Sequence, residues 1–201
     1  MAEAIKIEIF RKKVPEDLTK ALSEPDSRTD VGSGAALSAA AAAAYLERAA
    51  AVTAETVKDN ERVDYILRNA EILRGYMVHL IDEDVKSRGP LRKALKDGDP
   101  QVIEAARQPA VAVAGEIVGM MCKLLELGEE LCGLKEGDCG YLICAAADLA
   151  VGAMKASMRY IVNMSDKCSD ETYRFVSRRE NEMTLEQFLP VYERILKLAG
   201  K

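Results

Sequence analysis

The chain has 201 residues, 49% hydrophobic and 30% charged, with three Phe and no Trp, enough for one domain with its own core. A formal net charge of −5 argues against a nucleic-acid partner held through its phosphates, because such binding needs a basic face. Abundant alanine with few large aromatics favours closely packed helices over sheets, so the composition predicts an all-α fold.

Taken in chain order, residues 4–10 (AIKIEIF) alternate apolar and charged positions like a strand, but a lone strand has no partner in a helical chain. They read as an extended lead-in or a first helical turn, with Pro15 starting the helix that follows. Helix formers run from about Gly34 to Lys58. From Glu61 to about Lys86, apolar residues recur three and four apart at Val63, Ile66, Leu67, Ala70, Leu73, Met77, Leu80 and Ile81. These two long helices are expected to pack as neighbours. Gly89-Pro90 and the stretch Asp97 to Pro100 punctuate the middle, with Asp99 capping a helix whose first residue is Pro100. Pro109 is expected to kink the next apolar run, which continues to about Leu131. The stretch Gly133 to Gly140 ends it, and a helix from Tyr141 to Met164 follows. Ser169 is a candidate cap, and residues 184–187 (TLEQ) have the form of a capping box for a last helix bent at Pro190. With no repeat or linker, residues 1–201 read as one up-and-down bundle of long helices with several short ones.

Five cysteines without a C-x-x-C pair suggest neither a disulfide frame nor a zinc site. No charged-then-apolar leader is read at the amino terminus, and charge interrupts the apolar stretches before membrane-spanning length. The expectation is a cytoplasmic protein with reduced thiols, no metal, and neither membrane nor nucleic acid as partner.

Three clusters could carry chemistry. In Gly32-Ser33-Gly34, two residues without a β-carbon would let a ligand approach helix amides that have no internal partner, where the helix dipole favours an anion. From local sequence alone the same residues read first as a plain cap, with Ser33 or Asp30 satisfying those amides. The alanine run that follows suits close helix packing in a core or a homodimer interface, and the interface is the preferred expectation. On the helix from Tyr141, the residues Asp148, Lys155, Arg159 and Asn163 fall within an arc of roughly 80°, either as a solvated face or as a ligand-facing stripe. His79 stands three residues before Asp82 and four before Glu83, a spacing that offers an acid–base pair or simply surface charge.

In this order the pieces resemble the cyclodeaminase domain of formiminotransferase-cyclodeaminase and the related methenyltetrahydrofolate cyclohydrolases. Residues 29–37 (TDVGSGAAL) are similar to that family's glycine-serine turn leading into an Ala-rich helix. Asp82-Glu83-Asp84 resembles an Asp-x-Asp pair closing the next long helix, and Pro109 a proline inside a later one. Residues 159–163 (RYIVN) resemble in part an Asn-Val-x-x-Asn signature before a polar segment. Asp30 and Val31 replace two glycines of the turn, Arg159 replaces an asparagine, and Tyr141 stands where an aspartate is usual. The resemblance implies a one-carbon tetrahydrofolate as substrate or ligand, without a bound cofactor. It further implies cyclohydrolase or cyclodeaminase chemistry, or a relative that binds such an anion without turnover. Asp84 is the implied proton-handling carboxylate, with Asp82 beside it and His79 an outside candidate. Gly32, Ser33, Gly34, Lys155, Arg159 and Asn163 are the implied ligand-binding residues.

Overall fold

The computed structural model describes residues 15–25, 27–135 and 137–200, and these contain no strand. The lead-in expected at residues 4–10 lies outside the described residues. The helices are α1 (Pro15–Ser23), α2 (Val31–Thr56), α3 (Glu61–Ser87), α4 (Gly89–Asp97), α5 (Pro100–Arg107), α6 (Ala112–Leu134), α7 (Gly140–Ser165) and α8 (Glu171–Ala199). The all-α bundle expected from composition is what forms.

Helix α2 lies at the centre, packed most extensively against α3 and α7 and also against α6. Its alanines explain that position. Ala36, Ala39, Ala42, Ala43, Ala49 and Ala50 are fully or almost fully buried, and a methyl side chain lets neighbouring helices approach on several sides at little entropic cost. The alanine run is therefore consumed largely by packing within the chain. Around it, the three-and-four spacing of α3 buries Val63, Ile66, Ala70, Leu73, Met77, Leu80 and Ile81. Ion pairs such as Arg74–Glu47 (2.5 Å) and Arg62–Glu130 tie α3 to α2 and α6 across the half-exposed seams, where each contributes little.

Helix α7 is long and apolar enough to cross a membrane by length and composition, contrary to the expectation that charge interrupts every such stretch. More than half of its most apolar window, 56%, is buried inside the bundle, so α7 has the burial of a core helix. Its direction is antiparallel to α2, with Ser38 Oγ donating to the Leu149 carbonyl at 3.3 Å and Thr53 close to Cys139. The start of α2 therefore meets the end of α7.

Several boundaries differ from the sequence reading for local reasons. Asp99 caps α5 as expected, its Oδ1 accepting from Gln101 N at 2.9 Å. Pro109 breaks the run instead of kinking it: α5 ends at Arg107, a 3-10 turn spans Pro109–Val111, and α6 starts at Ala112. The cap of α8 is Asp170, which accepts from Tyr173 N at 3.0 Å. Ser169 instead donates to Glu104 from both its amide and its hydroxyl. Thr184 is no cap, because α8 runs unbroken past it and its hydroxyl bonds back to the Glu180 carbonyl at 2.8 Å. A small second core of Leu91, Ala94, Ala106, Ala110, Val111, Ala114, Tyr160 and Met164 joins α4 and α5 to the end of α7.

Candidate functional site

Where an outside ligand was expected to approach the glycines, a side chain of the chain itself closes on Gly32. Helix α2 begins at Val31, with Asp30 as its cap and Oδ1 accepting from Val31 N at 2.8 Å. Asp84, near the end of α3, places Oδ2 at 2.9 Å from Ser33 N and 2.7 Å from Ser33 Oγ. A β-carbon on Gly32 would lie 2.0 Å from Asp84 Oδ1. Neither Gly32 nor Gly34 has a positive φ, so glycine at 32 is required for space and not for a turn. The internal carboxylate occupies the helix terminus that an outside anion would otherwise seek.

Asp84 is 0% exposed. Burial pushes its carboxyl above the usual carboxylate range, opposed by the Ser33 hydroxyl, the Arg88 guanidinium and the Ser33 amide, which favour the ionised form. Its Oδ1 has no hydrogen-bond partner. Arg88, one helical turn further, holds Nη1 at 3.8 Å from Asp84 Oδ2 and Nη2 at 2.5 Å from Asp30 Oδ2. Its guanidinium lies over the Tyr160 ring, 5.7 Å from the centroid, and its side chain is 12% exposed. One cation thus links the acid at the end of α3 to the cap of α2.

On the outer side of Arg88 opens a hollow of about 650 Å³ lined by Asp30, Val31, Arg88, Leu91, Arg92, Leu95, Arg107, Ala156, Arg159, Tyr160, Asn163, Met164 and Lys167. Five of these side chains are cationic and one is a carboxylate. Arg92 is fixed by donating to the Arg28 and Val85 carbonyls, and Arg107 pairs with Glu104 at 3.2 Å. Burial drives the Tyr160 phenol up to about 12, with Arg88 opposing; it therefore stays protonated at neutral pH and can donate. The arrangement suits an anionic ligand with an apolar, flat portion.

The sequence expectations divide accordingly. Ser33 and Asp84 meet, but Gly32 and Ser33 are buried and do not line the hollow. Asp84 does not line it either, and Arg88 stands next to it. Gly34 lines a smaller recess of about 320 Å³ below α1, shared with Asp30 and Arg88. Arg159 and Asn163 line the main hollow, whereas Lys155 lines an adjoining one between α7 and α8 that also includes Arg159 and Asn163. The polar stripe of α7 is split, since Asp148 accepts from the Tyr192 hydroxyl at 2.6 Å. Asp82 lies about 200° around α3 from Asp84 and is buried away from the hollow. His79 pairs with Glu83 at 3.3 Å on the outer face of α3. Neither joins the site. Tyr141 is about 27 Å along α7 from Arg159, so its identity does not shape this hollow. Among the described residues no cluster of three or more His, Cys, Asp or Glu is arranged around a metal position.

The residues that sequence reasoning missed are Arg88, Arg92, Arg107, Tyr160 and Lys167. A signal existed for the first two: Asp84, Arg88 and Arg92 are successive fourth residues, and α4 continues directly from α3 through Arg88 in a helical conformation. The Gly89-Pro90 pair hid that continuity.

The fold has a solved counterpart. A formiminotetrahydrofolate cyclodeaminase from Thermotoga maritima superposes with a TM-score of 0.85 at 21% identity, over 94% of this chain and 96% of that one. A comparison with curated proteins finds no match. The family model for formiminotransferase-cyclodeaminase matches residues 15–183, most of the sequence. The chain belongs to the formiminotransferase-cyclodeaminase family.

Proposed function

We propose that the protein binds a reduced folate carrying a one-carbon unit in the hollow beside Arg88 and acts on that unit as a cyclodeaminase or methenyltetrahydrofolate cyclohydrolase. The observation that carries this reading is the cationic lining of Arg88, Arg92, Arg107, Arg159 and Lys167 around the Tyr160 ring and hydroxyl. Guanidinium groups grip ligand carboxylates through parallel hydrogen bonds, and an aromatic wall accepts a flat heterocycle. Family membership supplies the reaction class. Both candidate reactions pass through a tetrahedral carbon between two nitrogens, which fixed charges and a proton-donating hydroxyl can stabilise.

In this reading Asn163 and Arg159 bind the ligand, and Tyr160 donates to it. Asp84 acts one layer back as a positioning residue that fixes Arg88 and Ser33, in place of the direct proton-handling role the resemblance implies. Asp82 and His79 have no part, and Lys155 serves only a ligand long enough to cross from the hollow into its neighbour. No metal or redox cofactor is invoked. Buried and half-buried free thiols accord with a cytoplasmic location. A homodimer remains part of the proposal, using the strip of α2 left at the surface around Ala41, Ala44, Tyr45 and Arg48; sedimentation would then give twice the 22.0 kDa chain mass.

The test follows methenyltetrahydrofolate by its near-ultraviolet absorbance and formiminotetrahydrofolate by ammonia release. Acceleration of the first alone assigns a cyclohydrolase, and of the second a cyclodeaminase. Complete burial of Asp84 favours one competing reading, a binding protein without turnover. Tight binding of both compounds without acceleration would establish it.

A further inference from the structure

The hollow already holds an anion of its own. Among the described residues Asp30 is the one carboxylate in its lining, and Asp30 Oδ2 takes Arg88 Nη2 at 2.5 Å while Oδ1 accepts from Val31 N at 2.8 Å. The side chain is thus held from two directions, by the first turn of α2 and by the guanidinium. Arg88 is backed by Asp84 at 3.8 Å and flanked by the Tyr160 ring. Its Nη1 is buried and has no hydrogen-bond partner. Any ligand carboxylate that enters must share Arg88 with Asp30 or displace it, and a fixed like charge beside the binding group discriminates among ligands by repulsion.

We propose that Asp30 is a built-in counter-ion of Arg88 and the residue that sets how much negative charge the hollow accepts. It holds the cation in place when the hollow is empty, and a ligand anion must compete with it for Arg88. This rests on the reading that the hollow is a ligand site, but not on the ligand being a folate.

The experiment is calorimetric titration of the full chain with citrate, a stable tricarboxylate, and separately with 5-formyltetrahydrofolate. The variants are Asp30→Asn, Asp30→Ser, Arg88→Gln and the double variant D30N/R88Q. Asn and Ser both cap helices well, so α2 keeps its start and circular dichroism should match the parent. Both single changes at 30 should tighten citrate binding at least tenfold, equivalent to about 1.4 kcal/mol. Arg88→Gln should weaken citrate at least tenfold more in the D30N background than in the parent, since only there is Arg88 released. Unchanged citrate affinity in Asp30→Asn and Asp30→Ser overturns the proposal. So does an equal cost of Arg88→Gln in both backgrounds, which would mean that Asp30 merely repels from a distance. If Arg88→Gln fails to fold, the two changes at 30 still decide by their gain. Failure of 5-formyltetrahydrofolate to bind any variant, with citrate following the expected order, removes the folate reading and leaves the counter-ion assignment standing.

Discussion

At the scale of single residues, the contact between α2 and α3 turns on one missing methyl group. A β-carbon at Gly32 would fall 2.0 Å from Asp84 Oδ1, whereas one at Gly34 would meet only the Leu22 methyl carbons at 3.7 and 3.8 Å. Gly32→Ala should therefore force a buried carboxylate off Ser33 and cost about 2–3 kcal/mol, a fall in Tm of about 5–10 °C for a chain this size. Gly34→Ala should be neutral or stabilising by up to about 1 kcal/mol, because alanine is the better helix former. Thermal melts of the two variants check both signs, and equal melts would remove the steric account. Asp84 also leaves a pH signature. Its carboxyl is raised in the folded protein chiefly by burial, so the folded state binds the proton more tightly than the unfolded state does. Its contribution is fully present below the unfolded value of about 3.9 and is lost as pH rises through the folded value. The stability of the parent relative to Asp84→Asn should therefore decline with rising pH across that window. Denaturant titrations at several pH values measure the difference, and an opposite slope would show that the Ser33 and Arg88 interactions outweigh desolvation.

At the scale of elements, what was legible from the sequence was what depends on neighbours in the chain. The apolar spacing of α3 predicted most of its buried residues, all but Asp82, Asp84 and Val85, and Asp99-Pro100 predicted a start because both signals act within one turn. The last helix was misread for the converse reason. Residues 184–187 satisfy a local capping pattern, yet packing of the later part of α8, through Phe188, Val191 and Ile195, lets the helix run through them. Asp170→Ala should consequently cost about 1 kcal/mol, while Thr184→Ala, which removes only a bond back to Glu180, should change stability by less than about 0.5 kcal/mol. Equal losses in urea melts would restore the sequence reading of a second start. The site was half legible on the same grounds. Ser33 and Asp84, 51 residues apart, could be linked only through resemblance, and the cations of the hollow come from the α3–α4 junction, α4, α5, α7 and the turn after it, whose convergence no local pattern encodes.

At the scale of the whole molecule, the hollow exists only when the bundle is assembled. Its lining is drawn from the start of α2, the junction of α3 with α4, the end of α5 and the last turns of α7, and the small core of Leu91, Ala106, Ala110, Tyr160 and Met164 holds those ends together. A ligand of this hollow therefore binds the folded state and not the unfolded one, so binding must raise stability by mass action. At one hundred times its Kd, 5-formyltetrahydrofolate should add about 2.7 kcal/mol, a rise in Tm of about 5–10 °C. Because Arg92, Arg159 and Lys167 present charge at a solvent-open rim, the rise should shrink in 0.5 M salt, where screening acts within a few ångströms. Arg92→Gln, which lines the main hollow alone, should lose part of the shift, while Lys155→Gln, on the neighbouring hollow, should keep it. A shift retained in Arg92→Gln and lost in Lys155→Gln would move the ligand to the space between α7 and α8 and leave Asp30 without an anion to oppose.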